Sequence, residues 1–294
     1  MSLFVQQHAT PSAFTSAPWV ILTPIEQRIK EKIEAVGTPL KDWDIQIYRG
    51  VLTGCNEAFI IDTAKRDEIL ANCQTEDERR RTEALIRPIL RGRDIKRYGY
   101  DWAGLWLIFI PWHFPYQFDT SINGASEKAE KAFQEQYPSV YQHMTKYKER
   151  LSKRNKAETG IRYEWYAMQR WGAQYWDLFF QPHICWKAVG RNLAFALVDG
   201  GIFLTAPASF ISGGIYNETI LHYLCSPVGK YFIYKHSDTT GAGDIMLNIQ
   251  SLIRFPVPMG ILDTKGLSES EIKSAIYKAY GFDREEIEYI ESYI

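Results

Sequence analysis

Tyr48-Arg49-Gly50-Val51-Leu52-Thr53-Gly54-Cys55-Asn56-Glu57-Ala58-Phe59-Ile60-Ile61 joins a strand-like apolar run to a turn with two glycines and small polar side chains. Just upstream, Ile45-Gln46-Ile47-Tyr48 alternates as a strand, and Ala58-Phe59-Ile60-Ile61 resumes one, so the stretch predicts a hairpin or bent strand pair. A second phrase answers it: Ile86-Arg87-Pro88-Ile89-Leu90-Arg91-Gly92-Arg93-Asp94-Ile95, an apolar segment closing on a glycine between two arginines. Neither phrase has the parts of a catalytic centre. Both offer backbone amides, hydroxyls and guanidinium groups of the kind that hold an anionic polymer.

Outward from these phrases the chain alternates helical and strand signals. Residues 1–18 are small, polar and aperiodic and read as a flexible arm or linker remnant. Met1-Ser2-Leu3 reads as the start of a fragment cut from a longer protein. Thr23-Pro24-Ile25-Glu26 carries a capping threonine, a proline at the first helical position and a Glu at the third. Gly37-Thr38-Pro39 stops that helix. Lys65 to Ala84 is charged and helix-prone, and Leu105 to Ile110 reads as a buried strand ended by Pro111. Helices are expected from about Ser126 and from Pro138, the second with Val140, Met144, Tyr147 and Leu151 on one stripe. Strand candidates follow at Trp176–Phe180, His183–Trp186, Leu193–Val198, Gly201–Thr205 and Tyr231–Tyr234, with a helix at Ile215–Leu224. Ser268-x-x-Glu271 and Asp283-x-x-Glu286 open a closing helical pair over 263–294, with Gly281 between them. The pattern is α/β mixed (α+β), with no internal repeat.

The bulk numbers bound the function. The chain has 294 residues, 46% hydrophobic and 23% charged, enough to bury a substantial core as one large domain or two small ones. A formal net charge of -1 argues against a histone-like binder, yet leaves room for a basic face balanced elsewhere. Cys55, Cys73, Cys185 and Cys225 lack metal-ligand spacing and imply reduced thiols in a cytoplasmic protein. No apolar run approaches a membrane span, and the amino terminus lacks the order of a signal peptide.

Candidate chemistry is sparse. A methyltransferase acting on a flipped adenine needs a Pro-Pro-aromatic turn, and the chain has no Pro-Pro dipeptide. Gly241-Ala242-Gly243 lacks the third glycine of a dinucleotide loop. Asp263 with Glu271-Ile272-Lys273 matches a Mg²⁺-dependent nuclease superficially, but Glu271 is already explained as a capping residue. Ser209 has no recognisable base partner, and the six histidines are dispersed singly. From Lys146 to Arg170, by contrast, eight basic residues interleave with Tyr163, Trp165, Tyr166 and Trp171. Phosphate contact with stacking would use that mixture. A solvated helix face beside an aromatic core fits the composition nearly as well.

The order of several phrases resembles the C-terminal specificity, or target recognition, domain of type II and IIG restriction-modification adenine-specific DNA methyltransferases, related to type I specificity subunits. Gly50 to Phe59 is similar to that family's G-hydrophobic-x-T-G-x-N-x-A-F phrase, and Pro88 to Ile95 to its P-x-L-R-G-R-D-I phrase. Leu105 to Phe109 resembles the strand that follows, and Leu151-Ser152-Lys153-Arg154 the end of a helix closing on L-x-x-R. Trp165-Tyr166-Ala167-Met168-Gln169-Arg170 is similar to its W-Y-x-x-x-R phrase, Phe255-Pro256-Val257-Pro258 to its L-P-I-P close. His183 stands where the family usually has Lys.

The resemblance covers about residue 20 to the end and implies a recognition domain over 19–262, with a twisted mixed sheet and flanking helices. It implies duplex DNA as the partner and no cofactor in this fragment. S-adenosylmethionine is expected in a parent catalytic domain, upstream in the same chain or on a separate subunit, and the parent as an adenine-specific DNA methyltransferase, with or without a fused endonuclease. DNA contacts are then expected from Arg49, Thr53, Asn56, Arg91, Arg93, Arg154, Arg162, Trp165, Arg170, Lys235 and Thr239. Arg91 and Arg93 serve equally well as structural partners of Asp94 or Glu57, and Trp165 as core. The competing readings are the Mg²⁺-dependent nuclease and a protein-interaction domain that docks a methyltransferase subunit.

Overall fold

The computed structural model describes residues 22–191 and 193–293; the arm expected over 1–18 lies outside them. The chain is α+β with several small sheets. It divides into two compact units, one taking Gln46–Ala188 and Ala194–Gly214, the other the remaining described residues.

In the first unit an antiparallel sheet runs Gln46–Arg49, Ser209–Ser212, His183–Trp186, Phe195–Val198. The strand last in sequence lies beside the first, with Ser212 opposite Gln46 and Ser209 opposite Arg49. A second sheet orders Ile60–Asp62, Leu105–Ile108 and Ile86–Leu90 antiparallel, with Phe203–Leu204 parallel at its edge. Leu105–Ile108 has a partner on both sides and ends with Leu107 and Ile108 fully buried, which is why its sequence is apolar without alternation. Phe59, Phe133, Tyr166, Phe179, Phe203 and Phe210 are fully buried in the core of this unit. Each large apolar side chain so placed contributes about 1.5–3 kcal/mol, so much of the aromatic content serves stability.

The hairpin expected across Gly50 and Gly54 does not form. Gly54 turns the chain at φ 73°, and Asn56–Phe59 follows as a helical turn. Gln46–Arg49 therefore pairs with Ser209–Ser212 and Ile60–Asp62 with Leu105–Ile108, so the glycine phrase is a crossover between two sheets. Gly50 makes the crossing possible: a Cβ there would stand 2.5 Å from the Leu204 carbonyl oxygen. Through that gap Val51 N–H donates to Leu204 O at 2.8 Å.

Helices flank these sheets where their caps predict. Asp62 and Thr75 cap Thr63–Ala71 and Glu76–Leu85, and Ser126 caps Glu127–Gln136. The helix expected from Pro138 is two pieces, Pro138–Thr145 and Lys148–Lys153, that keep Val140, Met144 and Leu151 buried. Trp176–Phe180 is a 3₁₀ turn instead of a strand. It opens behind left-handed Gly172, whose carbonyl accepts from Tyr175 and Trp176 N–H at 2.8 Å.

In the second unit Thr23 and Glu26 complete a capping box on Pro24–Val36, and Gly37–Pro39 pairs antiparallel with Pro256–Pro258. Asn217–Cys225 and Pro227–His236 follow as consecutive helices. Tyr231–Tyr234 thus lies inside a helix instead of a strand, because the Ser226 cap and Pro227 at the first position outweigh the β preference of its aromatics. Val189–Gly190, Ile245–Met246 and Asp238–Thr239 form a small antiparallel sheet, with Gly241-Ala242-Gly243 between the last two. Glu269–Tyr280 and Arg284–Glu291 carry the expected capping boxes, separated by Gly281 at φ 67°. No helix among the described residues is long and apolar enough to cross a membrane.

Candidate nucleic-acid interface

The glycine crossover is held from inside. Thr53 is buried, donates its hydroxyl to Asn56 Oδ1 at 2.6 Å and accepts from Cys55 N–H at 3.2 Å. Thr53 thus braces the turn and leaves Asn56 exposed beside it. Arg154 points inward: its guanidinium donates to the carbonyls of Thr53, Trp165 and Ala167 and lies 5.4 Å from the Phe59 ring centre. Burial pulls Arg154 down to about 10, which leaves it charged at neutral pH. It ties the crossover to the Trp165–Arg170 phrase, and Trp165 itself is buried with Nε1 donating to Glu130 at 2.7 Å.

That phrase then runs alongside the crossover. Leu52 and Arg170 exchange N–H···O bonds of 2.9 Å in both directions. Beside this ladder opens a cleft of about 440 Å³, lined by Arg49, Gly50, Leu52, Trp112, Arg170, Gln174 and Tyr175 among others. Arg49, Arg170 and Gln174 are exposed at its rim. Trp112 is half-buried, stacked on Tyr163 at 4.7 Å and anchored by Nε1 donating to Met168 O at 2.8 Å. The guanidinium carbons of Arg162 and Arg170 stand 5.7 and 5.8 Å from its ring centre.

One carboxylate organises both arginines. Glu158 is almost buried and accepts Arg170 Nη1 at 2.8 Å, Arg170 Nη2 at 3.0 Å and Arg162 Nη1 at 3.1 Å, with Asn155 Nδ2 as a further donor. The Arg170 guanidinium beside it, with Arg162, holds its carboxyl below the usual range. Two cations against one anion leave the patch net positive. Arg49 ion-pairs with none of the described residues. The assembly presents guanidinium edges, an amide and an aromatic plane together, the groups that contact phosphates, base edges and base faces.

Arg91 and Arg93 are not among the residues that line this cleft. Arg91 forms a fork with Asp94, Nε at 3.0 Å and Nη2 at 2.8 Å, and its own N–H also donates to that carboxylate at 2.8 Å. The structural role weighed for Arg91 is thus filled, whereas Glu57 pairs with Arg150 at 3.0 Å. Arg93 is exposed on the adjoining 3₁₀ turn. Lys235 and Thr239 belong to the second unit, Lys235 paired with Glu26 and donating to Tyr293 Oη at 2.8 Å, Thr239 exposed on its short strand. Trp112, Gln174 and Glu158 were missed in the sequence because two sit in aperiodic loops and the third looks like an ordinary surface acid.

Two of the three residues of the nuclease reading have other partners. Glu271 Oε2 accepts from Ser268 N–H and hydroxyl at 2.7 and 2.6 Å, and Lys273 pairs with Glu291 at 3.0 Å. No group of three or more potential metal ligands occurs among the described residues.

No protein-family model and no curated protein matches the sequence. Among solved structures the chain is similar to the type IIG restriction endonuclease BpuSI, with TM-score 0.45, 13% identity and 88% of this chain covering 28% of that one. It is also similar to the type IIL restriction-modification enzyme MmeI in complex with DNA, with TM-score 0.49, 12% identity and 87% of this chain covering 36% of that one. The chain spans well under half the length of either.

Proposed function

We propose that the chain is a sequence-specific duplex DNA recognition module of a type II restriction-modification adenine-N6 DNA methyltransferase, without catalysis of its own. The observation that carries this reading is the cleft beside the Leu52–Arg170 ladder. There Arg49, Arg170 and Gln174 line the cleft with Trp112, Arg162 stands 5.7 Å from that ring, and Leu52 and Arg170 lie on two of the phrases that resemble the target recognition family. The polar groups can donate to phosphates and base edges, and the backbones of Arg49 and Arg170 are fixed by sheet and ladder hydrogen bonds. A rigid scaffold of this kind limits the entropy lost on binding. Methyl transfer, with S-adenosylmethionine, belongs to a catalytic domain outside these residues, in the same chain or on a partner subunit.

The test is a mobility-shift titration of the full chain against random-sequence duplex at several salt concentrations. Binding that weakens steeply with salt is expected, because neutralised phosphates release counterions. Salt-independent binding, or none, would overturn the proposal.

A further inference from the structure

We infer that Glu158 is a positioning residue that fixes Arg170 for reading a guanine in the major groove. The inference rests on the DNA-recognition reading and adds to it which base, which edge of the side chain and which carboxylate.

A guanidinium has two bidentate edges, an end-on edge formed by Nη1 and Nη2 and a side-on edge formed by Nε and Nη2. Glu158 takes the end-on edge of Arg170, Nη1 to Oε2 at 2.8 Å and Nη2 to Oε1 at 3.0 Å. The second hydrogen of Nη1 goes to the Gln169 carbonyl at 2.7 Å. Nε and the second hydrogen of Nη2 donate to nothing among the described residues, so a complete side-on fork remains beside the cleft. That fork matches the paired acceptors O6 and N7 of guanine, whereas adenine offers N7 beside a donor amino group.

Position as well as chemistry is fixed. The Arg170 backbone is bolted to Leu52 by both ladder bonds, and its guanidinium carbon stands 5.8 Å from the Trp112 ring centre. Glu158 is itself pinned by Asn155 and by Arg162, whose N–H donates to the Glu158 carbonyl at 2.7 Å. Backbone, ring and carboxylate together leave the long arginine stem little freedom to lose when a base arrives, and holding such a fork in place is what gives bidentate readout its discrimination.

The experiment selects bound sequences from a random duplex library with the full chain, then repeats the selection with Glu158→Gln and Arg170→Lys. Melting temperatures of all three establish that they are folded. The wild-type motif is expected to contain a guanine that both variants relax, with discrimination at that position falling about 5- to 100-fold. A second arm leaves the protein untouched: replacing that guanine by 7-deazaguanine removes N7 and is expected to weaken wild-type binding but not Arg170→Lys. If the wild type selects a motif that both variants keep, this inference falls while the recognition reading stands. If the wild type selects no sequence, the recognition reading falls and takes this inference with it.

Discussion

Leu52 and Arg170 form a ladder of two reciprocal hydrogen bonds, each 2.9 Å, between the turn of the glycine phrase and the last residue of the Trp165–Arg170 phrase. Two segments far apart in sequence are thereby one element at the cleft. A perturbation of the turn should therefore reach the arginine that the cleft presents.

Removing a cation from the cleft rim or from beside Trp112 should reduce salt dependence more than it alters sequence choice. Arg49→Gln and Arg162→Gln are each expected to lower the slope of log affinity against log salt by about 0.9, the share of one phosphate contact. The mobility-shift titration measures it, and unchanged slopes in both variants would remove these residues from the contact surface.

Arg154 should matter for folding first. Arg154→Met leaves the carbonyls of Thr53, Trp165 and Ala167 without their donor, at a cost of about 3 kcal/mol or more in urea denaturation. Arg154→Lys recovers only part, since an ammonium cannot span three carbonyls as a planar fork does. A loss below about 1 kcal/mol for the methionine variant would show that the site opens to water without difficulty.

Gly50 and Gly160 separate steric from conformational cost. Gly160 has φ 76° with open space around a would-be Cβ, so Gly160→Ala is expected to cost about 1 kcal/mol from the left-handed backbone alone. Gly50→Ala drives a methyl against the Leu204 carbonyl and should cost more, with loss of the Val51–Leu204 bond seen as faster amide exchange at Val51. Equal melting temperatures for the two variants would contradict the close approach.

Acid should unfold the chain in two stages. Burial lowers the pKa of His143 and His183, so each is neutral in the fold. The unfolded chain takes up their protons first, and stability present above about pH 6.5 is lost as pH falls below it. Burial alone would raise the Glu26 carboxyl, but the Lys235 ammonium and Thr23 overcome it and hold it at about 2. Its contribution is therefore present above about pH 4.5 and lost on the way down to about 2. His143→Gln with His183→Gln should flatten the upper stage in pH-dependent urea titrations, and Glu26→Gln the lower one.

What the sequence made legible was local chemistry. Thr23 with Glu26, Ser268 with Glu271, and Asp283 with Glu286 fix helix starts because both partners of each cap lie within one turn. Strand partners were not legible. Nothing in Ile45–Tyr48 points to Ser209–Ser212, and the nearer Ala58–Ile61 is the more obvious partner by sequence, but the helical turn at Asn56 carries it to the other sheet. The inward turn of Arg154 had a usable signal, since Arg154 follows buried Leu151 by three residues and so shares its face. Trp112 and Gln174 had none, because an aperiodic loop does not announce which side chains converge.

Ser212 stands opposite Gln46 in the sheet, so the first and last strands of the cleft-bearing unit run side by side. A segment whose two ends meet in this way behaves as a cassette: it can be excised, transplanted or circularly permuted by joining neighbouring ends with a short linker. Gln46 to Ser212 could then be exchanged as one piece, carrying its own flanking helices with it, with the short excursion at Val189–Leu193 redesigned as a loop and the helices of the second unit left in place.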